Sequence, residues 1–299
     1  MILTGIGDEA GNTIDTQIDA LRQLGWQHVE MRGVEVPGFA KANFHDIPDA
    51  AFEIAAGKLR DAGVQVYCFG TTILNWAKDI STPWEVTVAE VDRCIPRMKK
   101  VGCKFARIMS LKPAADIDAI PQLVIDRVKA VANRLLEAGI TPVHENCMNH
   151  GGMSPRHGLE LLQKVPGLKH VFDTANPVFN QDRSKSKPWP QQDPWEYWQA
   201  VKDYVAHIHI KDATWNPAKH DADYNWPGEG QGKVREILKD ALARGYDAAI
   251  SIEPHMVVVF HDANSKADDS AIKANFIEYG RRLEKLIAEV TSEQIHRSY

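Results

Sequence analysis

The sequence is poor in cysteine and lacks the cysteine spacings that bind zinc or build a disulfide framework. Its four cysteines, Cys68, Cys94, Cys103 and Cys147, form no CxxC pair within 299 residues. Zinc knuckles and small disulfide scaffolds need closely spaced cysteines. Both classes are therefore excluded, and we expect four free thiols.

Long apolar runs and an excess of positive charge are also missing. No run of 18 apolar residues occurs, so no membrane-spanning helix is predicted. The first residues, MILTGIGDEAG, lack the charged start and apolar core of a signal peptide, which predicts a cytoplasmic protein. The formal net charge of −5 gives no general attraction to nucleic acid or to anionic membranes, so neither is expected as a partner.

What the chain does contain is a repeated unit of amphipathic helix, short turn and apolar strand. Most of the turns carry a glycine, which can end a helix in the left-handed conformation. The eight predicted strands lie within 2–7, 24–31, 62–69, 101–109, 138–145, 166–173, 203–210 and 244–253. No GxGxxG fingerprint follows the first strand. The pattern therefore favours a single (β/α)8 TIM barrel, in one domain over residues 1–299, over a doubly wound sheet.

Helix starts and loop lengths agree with this fold. Thr13 is a predicted N-cap, and the last predicted helix, 268–290, is expected to pack on the outside of the barrel. Prolines at the predicted first position of four other helices are Pro83, Pro121, Pro155 and Pro194. The segments after strands are long and the segments before them short. The longer ones are 70–81, 110–119, 174–192, 211–231 and 254–267. This asymmetry predicts a functional carboxyl face.

Four side chains that can bind a metal stand at the ends of the last four strands. Glu145, Asp173, His209 and Glu253 are separated by 28, 36 and 44 residues, so they meet only if the strands lie side by side. Three carboxylates and one imidazole suit one divalent ion, with Mn²⁺ favoured and Mg²⁺, Co²⁺ or Zn²⁺ as alternatives. Without a cation, three close carboxylates would repel one another.

His207 is the rival ligand to His209 because it lies on the same face of the seventh strand. We assign the ligand to His209, which is nearer the carboxyl end of the strand. His207 is then expected one layer deeper, as a hydrogen-bonded core histidine.

These motifs resemble those of the xylose isomerase-like TIM-barrel superfamily, the sugar phosphate isomerase/epimerase group. The matching segments are HEN at Glu145, FDTAN at Asp173, HIHIKD at His209, PGEGQG at 227–232 and SIEP at Glu253. The resemblance implies one divalent metal held by those four side chains, with Glu145 and Glu253 also serving as acid and base on a ketose or keto-sugar. Many relatives carry a substrate-contacting histidine where this chain has Asn176, so the trinuclear zinc site of the apurinic-site endonucleases is not expected.

Proton transfer next to a sugar carbonyl needs a base at the carbon and positive charge at the oxygen as the enediolate forms. The favoured function is therefore a metal-dependent isomerase or epimerase of a sugar, phosphorylated or not. A lyase or dehydratase acting on a keto-inositol or keto-glycoside is the alternative. An apurinic-site endonuclease and a non-catalytic metal-binding barrel rank below both.

Further candidates belong to the wall of the predicted pocket. Asp8 and Glu9 follow the first strand, and the expected substrate contacts are Arg32, Trp76, His150, Asn176, Lys211 and His255. Arg32 could bind a phosphate or carboxylate, or instead pair with Glu30 or Glu35. Lys211 is either a substrate contact or a solvated charge. Exposed apolar stretches on the outer helices make a dimer or tetramer an alternative to a monomer.

Overall fold

The computed structural model describes residues 1–257 and 268–297, with side chains to residue 293, and its centre is an eight-stranded parallel sheet. We number its strands β1 to β8 in chain order. They are Ile2–Gly5, His28–Met31, Gln65–Gly70, Phe105–Ile108, Thr141–Glu145, Lys169–Asp173, Val205–Ile210 and Ala249–Ile252. Seven of them lie within their predicted segments, and Gln65–Gly70 extends one residue past the predicted 62–69.

The sheet curls until its two edge strands meet. The hydrogen-bonded order is β1-β8-β7-β6-β5-β4-β3-β2, and a parallel bridge between Ile6 and Glu30 joins the two edges. Helices connect the strands, which confirms the predicted single (β/α)8 barrel. The α-helices are Gly7–Ala10, Ile14–Leu24, Asp49–Asp61, Trp84–Val101, Gln122–Glu137, Pro155–Lys164, Asn176–Phe179, Pro194–Val201, Val234–Ala243 and Asp269–Arg297. His150–Met153 and Lys202–Tyr204 form short 3₁₀ turns.

Side chains along each strand point alternately out toward the helices and into the barrel, so the protein has two kinds of core. Outward residues such as Ile208 and Ile250 pack against the helices, in the main apolar core. Inward residues near the amino ends of the strands are also apolar, among them Cys68, Val143 and Val171. Polar side chains therefore collect near the carboxyl ends, where loops can reach them.

Helix boundaries follow the predicted signals closely. Thr13 Oγ1 accepts a hydrogen bond from the Thr16 amide at 3.1 Å, as an N-cap should. Pro155 and Pro194 are first helical residues, whereas Pro83 and Pro121 stand one position earlier, as the caps themselves.

The last helix packs against the first long helix, Ile14–Leu24, which agrees with its predicted place on the outside of the barrel. Most of the predicted loop 254–267, from residue 258 onward, lies outside the described residues. All four cysteines are buried free thiols, as expected. None of the described helices combines the length and apolarity needed to cross a membrane.

Two hairpins that the sequence did not predict extend the carboxyl face. One pairs Gly33–Val36 with Phe39–Asn43, and the other pairs Asp212–Asn216 with Asp221–Asn225. The PGEGQG segment follows the second hairpin and wraps around the Asp212 carboxylate, which accepts amide hydrogen bonds at 2.9 Å from Gly228, Gly230 and Gly232. A side chain at Gly230 would clash, since its Cβ would lie 2.4 Å from Asp212 Oδ1.

Candidate active site

The carboxyl ends of β5 to β8 bring the four predicted metal ligands together. Glu145 and Asp173 end their strands, His209 is the penultimate residue of β7, and Glu253 directly follows β8. One donor atom from each lies within 4.8 Å of the others, and all four side chains are buried. The register causes this, because Asp173 pairs with His209, which pairs with Ser251 two residues before Glu253.

His209 is held in the orientation that a metal ligand requires. Its Nε2 lies 2.8 Å from Glu30 Oε2, while its Nδ1 lies 4.0 Å from Glu145 Oε1 and 3.9 Å from Glu253 Oε2. Nδ1 is buried and has no hydrogen-bond partner among the described residues. A carboxylate on the far nitrogen is the usual way in which proteins orient a metal-bound histidine. A buried nitrogen facing carboxylates therefore fits a cation between them.

Charge around these ligands is predominantly negative. Six carboxylates are buried here, those of Asp8, Glu9, Glu30, Glu145, Asp173 and Glu253, against the three permanent cations Arg32, Arg107 and Lys211. Burial lowers the pKa of His209, but Glu30, Glu145 and Glu253 together raise it to about 9. Burial and the neighbouring glutamates raise the pKa of Asp173 to about 6, although Lys211 opposes them. Both shifts indicate a site that favours additional positive charge.

Lys211 supplies part of that charge. Its Nζ lies 3.0 Å from Glu253 Oε2 and 3.1 Å from Asp173 Oδ2, and the side chain is buried. The alternative of a solvated charge is therefore wrong. Although burial lowers the pKa of Lys211, Asp173 and Glu253 raise it well above its ordinary value. A divalent ion bound by the same oxygens has to compete with this ammonium group.

Arg32 contacts carboxylates that follow the first and the last strand of the barrel. Its guanidinium lies 2.8 Å from Asp8 Oδ1, 2.9 Å from Glu9 Oε1 and 2.5 Å from Glu253 Oε1. The structure thus pairs Arg32 with these three carboxylates and not with Glu30 or Glu35, the alternative partners. Asp8 and Glu9 were expected in the pocket wall. They are buried as partners of Arg32, and neither stands among the described residues that line the cavity.

Glu145 is held by two partners on the other side of the cluster. Arg107 Nη1 lies 3.0 Å from Oε2, and Asn176 Nδ2 donates to Oε1 at 3.1 Å. Sequence reasoning missed Arg107 and took Glu30 only for a partner of Arg32. Each is the one charged residue of a short strand, FARI and HVEM, and in an otherwise apolar barrel strand that pattern is the available signal.

A cavity of about 150 Å³ opens above the ligands. Its walls include Glu145, Glu253 and five of the six predicted substrate contacts, namely Arg32, Trp76, Asn176, Lys211 and His255. His150 is not among the lining residues. Its ring nitrogen Nδ1 instead points at the carbonyl oxygens of Ser110, at 2.8 Å, and Leu111, at 3.0 Å. His150 thus helps to hold the loop that follows β4, away from the predicted contact.

Glu9 fixes the position of His255. Oε1 of Glu9 lies 2.7 Å from His255 Nδ1, and Oε2 of Glu9 accepts the backbone N–H of His255 at 3.1 Å. His255 has a φ of 53°, a left-handed conformation that is uncommon outside glycine and is typically held by surrounding contacts. Burial raises the pKa of Glu9, but His255 and Arg32 together lower it by more, so the pKa lies below its ordinary value.

His207 lies deeper in the barrel than His209, as expected. It is fully buried, and its Nε2 lies 2.8 Å from the same oxygen of Glu30. Glu30 therefore serves both histidines of the strand.

Comparison with solved structures shows the same architecture throughout. A xylose isomerase-like TIM-barrel protein from Mycobacterium smegmatis, in complex with magnesium, is 16% identical with a TM-score of 0.66, over 96% of this chain and 97% of that one. The probable 3-DHS dehydratase AsbF from Bacillus anthracis is 16% identical with a TM-score of 0.65, over 92% and 97%. An L-ribulose 3-epimerase is 14% identical with a TM-score of 0.67, over 100% and 99%. At these identities the likeness shows the fold alone.

A search of the curated proteins found no matching sequence. The family model for the xylose isomerase-like TIM barrel, in contrast, matches residues 18–275, which covers most of the barrel and all four predicted ligands. The chain therefore belongs to the xylose isomerase-like TIM-barrel family.

Proposed function

We propose that the protein is a divalent-metal-dependent isomerase or epimerase that moves a proton next to the carbonyl of a ketose or keto-sugar. Glu145 and Glu253 are its acid and base. The observation that supports this most directly is that both glutamates, which come from different strands and line one small cavity, converge on His209 Nδ1.

The residues that would hold the metal are Glu145, Asp173, His209 and Glu253. When bound, a divalent ion supplies a Lewis acid for the oxygens of the substrate. Three carboxylates and one imidazole favour Mn²⁺, and Mg²⁺, Co²⁺ and Zn²⁺ suit the same donors. The magnesium complex of the Mycobacterium smegmatis relative supports a divalent ion.

The two glutamates differ in their surroundings, which suggests different roles. Glu253 faces two cations, Arg32 and Lys211. Burial raises its pKa, but Lys211, His255 and Arg32 outweigh burial and hold it well below the usual range. Glu253 therefore enters the reaction as a carboxylate and can accept a proton from a substrate carbon. Arg32 and Lys211, both in the cavity wall, can then stabilise negative charge on the neighbouring substrate oxygen.

If Glu145 carries a proton from solvent and donates it to the opposite face of the carbon, the carbon is inverted and the product is an epimer, while Glu253 keeps the abstracted proton until it exchanges with solvent. If Glu253 instead delivers the abstracted proton to the adjacent carbon, the product is an isomer. The second candidate is a lyase or dehydratase acting on a keto-inositol or keto-glycoside, because abstraction of a proton by Glu253 can also begin an elimination. That reaction shares the first proton abstraction and then expels a β-hydroxyl or β-glycosyloxy group. Its enone product absorbs in the ultraviolet, whereas an epimer or isomer does not.

Solvent-proton exchange tests the proposal. A panel of ketoses and keto-inositols is incubated with the manganese-loaded protein in heavy water, and incorporation of deuterium is measured by mass spectrometry. Glu145→Gln and Glu253→Gln should each abolish incorporation while the native fold survives, as circular dichroism would show. Glu284→Gln, a change on the outer helix where Glu284 accepts the Trp26 indole, is the control and should retain exchange. Unchanged exchange in both cavity variants would refute the proposal.

A further inference from the structure

A second cavity of about 400 Å³ opens beside the first on the carboxyl face. The two cavities share the lining residues Cys147, Met148 and Phe179, so one ligand can extend from one into the other. The first cavity, about 150 Å³, is smaller than the roughly 300–1,000 Å³ typical of ligand pockets. The function proposed above uses only this smaller space.

The chemistry of the second cavity is that of neutral hydrogen-bonding groups. Four carboxamide side chains line it, those of Asn149, Asn180, Gln181 and Gln191, and no carboxylate stands among its described lining residues. Asn180 Nδ2 is buried and has no hydrogen-bond partner within residues 1–257 and 268–297. Asn180 lines the cavity, so a hydrogen-bond acceptor on a bound ligand could satisfy this donor.

Apolar and aromatic side chains line the same cavity. Phe179 and Trp215 line the cavity, and Met148 and Met153 add flexible apolar surface. Trp215 belongs to the hairpin formed by Asp212–Asn216 and Asp221–Asn225. Trp215 and Phe179 both pack against a small apolar cluster made up of Ala175, Val178, Ala213 and Ala222. Rigid aromatic faces beside amide donors and acceptors suit a sugar ring, which has an apolar C–H face and a rim of hydroxyls.

The two cations of this cavity do not form a phosphate site. Arg183 Nη1 donates to the carbonyl oxygens of Ala114, at 2.7 Å, and Ile117, at 2.8 Å. Its guanidinium also lies 4.9 Å from the ring centroid of Trp189. The other cation, Lys112, is exposed. Phosphate recognition usually relies on converging cations or on a helix amino terminus, so a neutral ligand fits better.

We propose that the second cavity is a subsite for a glycosyl unit, and that the substrate is a ketose carrying a glycosyl substituent. The keto-sugar unit would occupy the first cavity, against Glu145 and Glu253, and the glycosyl unit would lie between Trp215 and the carboxamides. This inference rests on the proposed function for the identity of the reacting unit. The binding chemistry of the second cavity does not depend on it.

The kinetic test compares D-fructose, D-fructose 6-phosphate and two glycosylated fructoses, lactulose and maltulose, in the heavy-water exchange assay. We expect kcat/KM for at least one glycosylated fructose to exceed that for D-fructose by about tenfold or more. Asn180→Ala and Trp215→Ala should each remove most of this advantage and leave kcat/KM for D-fructose within about twofold. Gln191→Ala, which leaves the hairpin untouched, serves as the third variant should Trp215→Ala fail to fold.

The matched control is Trp195→Ala, which removes an indole that is 37% exposed and lines neither cavity. It should keep the full preference for the glycosylated ketose. Equal kcat/KM for D-fructose and both glycosylated fructoses would overturn the subsite. The subsite would also be overturned if kcat/KM were higher for D-fructose 6-phosphate than for D-fructose and Lys112→Gln abolished this difference.

Calorimetric titration with lactulose separates failure of the subsite from failure of the proposed function. If no ketose exchanges its protons, the proposed function is wrong. Even in that case, the subsite would be supported if lactulose bound to the protein and Asn180→Ala weakened the binding. Absence of both exchange and binding would overturn the two proposals together.

Discussion

His209 Nε2 and His207 Nε2 both lie 2.8 Å from the same oxygen of Glu30, a fully buried carboxylate. Burial raises the pKa of Glu30, but His209 and His207 overcome this and hold it well below its usual range. Glu30 is therefore an acceptor only. It requires a proton on Nε2 of His209, and in the neutral ring this leaves the Nδ1 lone pair directed at the predicted metal position.

Glu30→Gln should therefore weaken metal binding without removing a ligand. The amide can present its NH₂ group to His209 and so favour the wrong tautomer, with the proton on Nδ1. Loss of such a supporting partner typically costs about 10–100-fold in metal affinity. Titration with Mn²⁺ against a chelating dye measures the change.

Glu90→Gln is the control, because Glu90 is also buried but pairs with Lys78 and is not a member of the four-ligand group. An affinity for Mn²⁺ that is the same in Glu30→Gln and in the unmodified protein would contradict this orienting role.

The convergence of the four candidate ligands could be predicted because parallel strands end at one face, whatever the loops between them do. Glu145, Asp173, His209 and Glu253 needed only the strand assignments. The partners of Arg32 could not be predicted in this way, because they depend on how β1, β2 and β8 meet when the barrel closes. The same limit applies to His150, whose position is set by the fold of a long loop.

The hairpin that carries Trp215 escaped prediction for a different reason. Its strands, DATWN and DADYN, are short and polar and lack the apolar alternation by which a half-buried strand is recognised. The glycines of 227–232 gave a motif in the sequence. Their role in enclosing the Asp212 carboxylate appears only in the structure.

Lys211→Met should strengthen metal binding and weaken catalysis. Lys211 Nζ lies within 3.1 Å of oxygens of Asp173 and Glu253, so its removal takes away a competing cation. A unit charge at about 4 Å is worth roughly 4 kcal/mol at an effective dielectric constant of 20, so a gain in Mn²⁺ affinity of at least about tenfold is expected. The exchange rate should fall, because the cavity loses a cation that can stabilise negative charge on the substrate.

The two readouts are dye competition for Mn²⁺ affinity and deuterium incorporation for turnover. Lys219→Met, which removes an exposed lysine from the second hairpin, should alter neither. Weaker Mn²⁺ binding in Lys211→Met would show that the ammonium group assists the metal and does not compete with it.

Arg32→Met should destabilise the fold in the presence of a chelator. Arg32 is the common partner of Asp8, Glu9 and Glu253, whose side chains are at most 5% exposed. Removal of one partner from a buried ion pair typically costs about 3–5 kcal/mol, because it leaves charge uncompensated. Urea unfolding measures the free energy of unfolding.

Arg60→Met is the matched control, since the Arg60–Asp61 pair is exposed and exposed pairs contribute little. Its free energy of unfolding should stay within about 0.5 kcal/mol of the unmodified protein. Equal changes in the free energy of unfolding would mean that the buried Arg32 contributes no more to stability than the exposed Arg60 does.

The buried pair His144 and His170 should make the protein sensitive to acid. The two rings stack at 6.1 Å, and His144 Nε2 lies 3.0 Å from Ser110 Oγ. Burial lowers the pKa of His144 to about 3, despite an opposing contribution from Asn149, and it lowers the pKa of His170 well below 6.5. Below about pH 6.5 the unfolded chain therefore binds protons that the folded chain does not.

Stability contributed by the neutral His144 should be complete above about pH 6.5 and should fall as the pH decreases toward 3, by up to about 1.4 kcal/mol per pH unit. His144→Gln removes this titration, so its stability should fall less steeply between pH 6 and pH 4. Urea unfolding at pH 6.5, 5.5 and 4.5 measures both slopes. His220→Gln, a substitution at the exposed turn of the second hairpin, should keep the slope of the unmodified protein. If His144→Gln also kept that slope, the neutral buried His144 would not be a source of acid sensitivity.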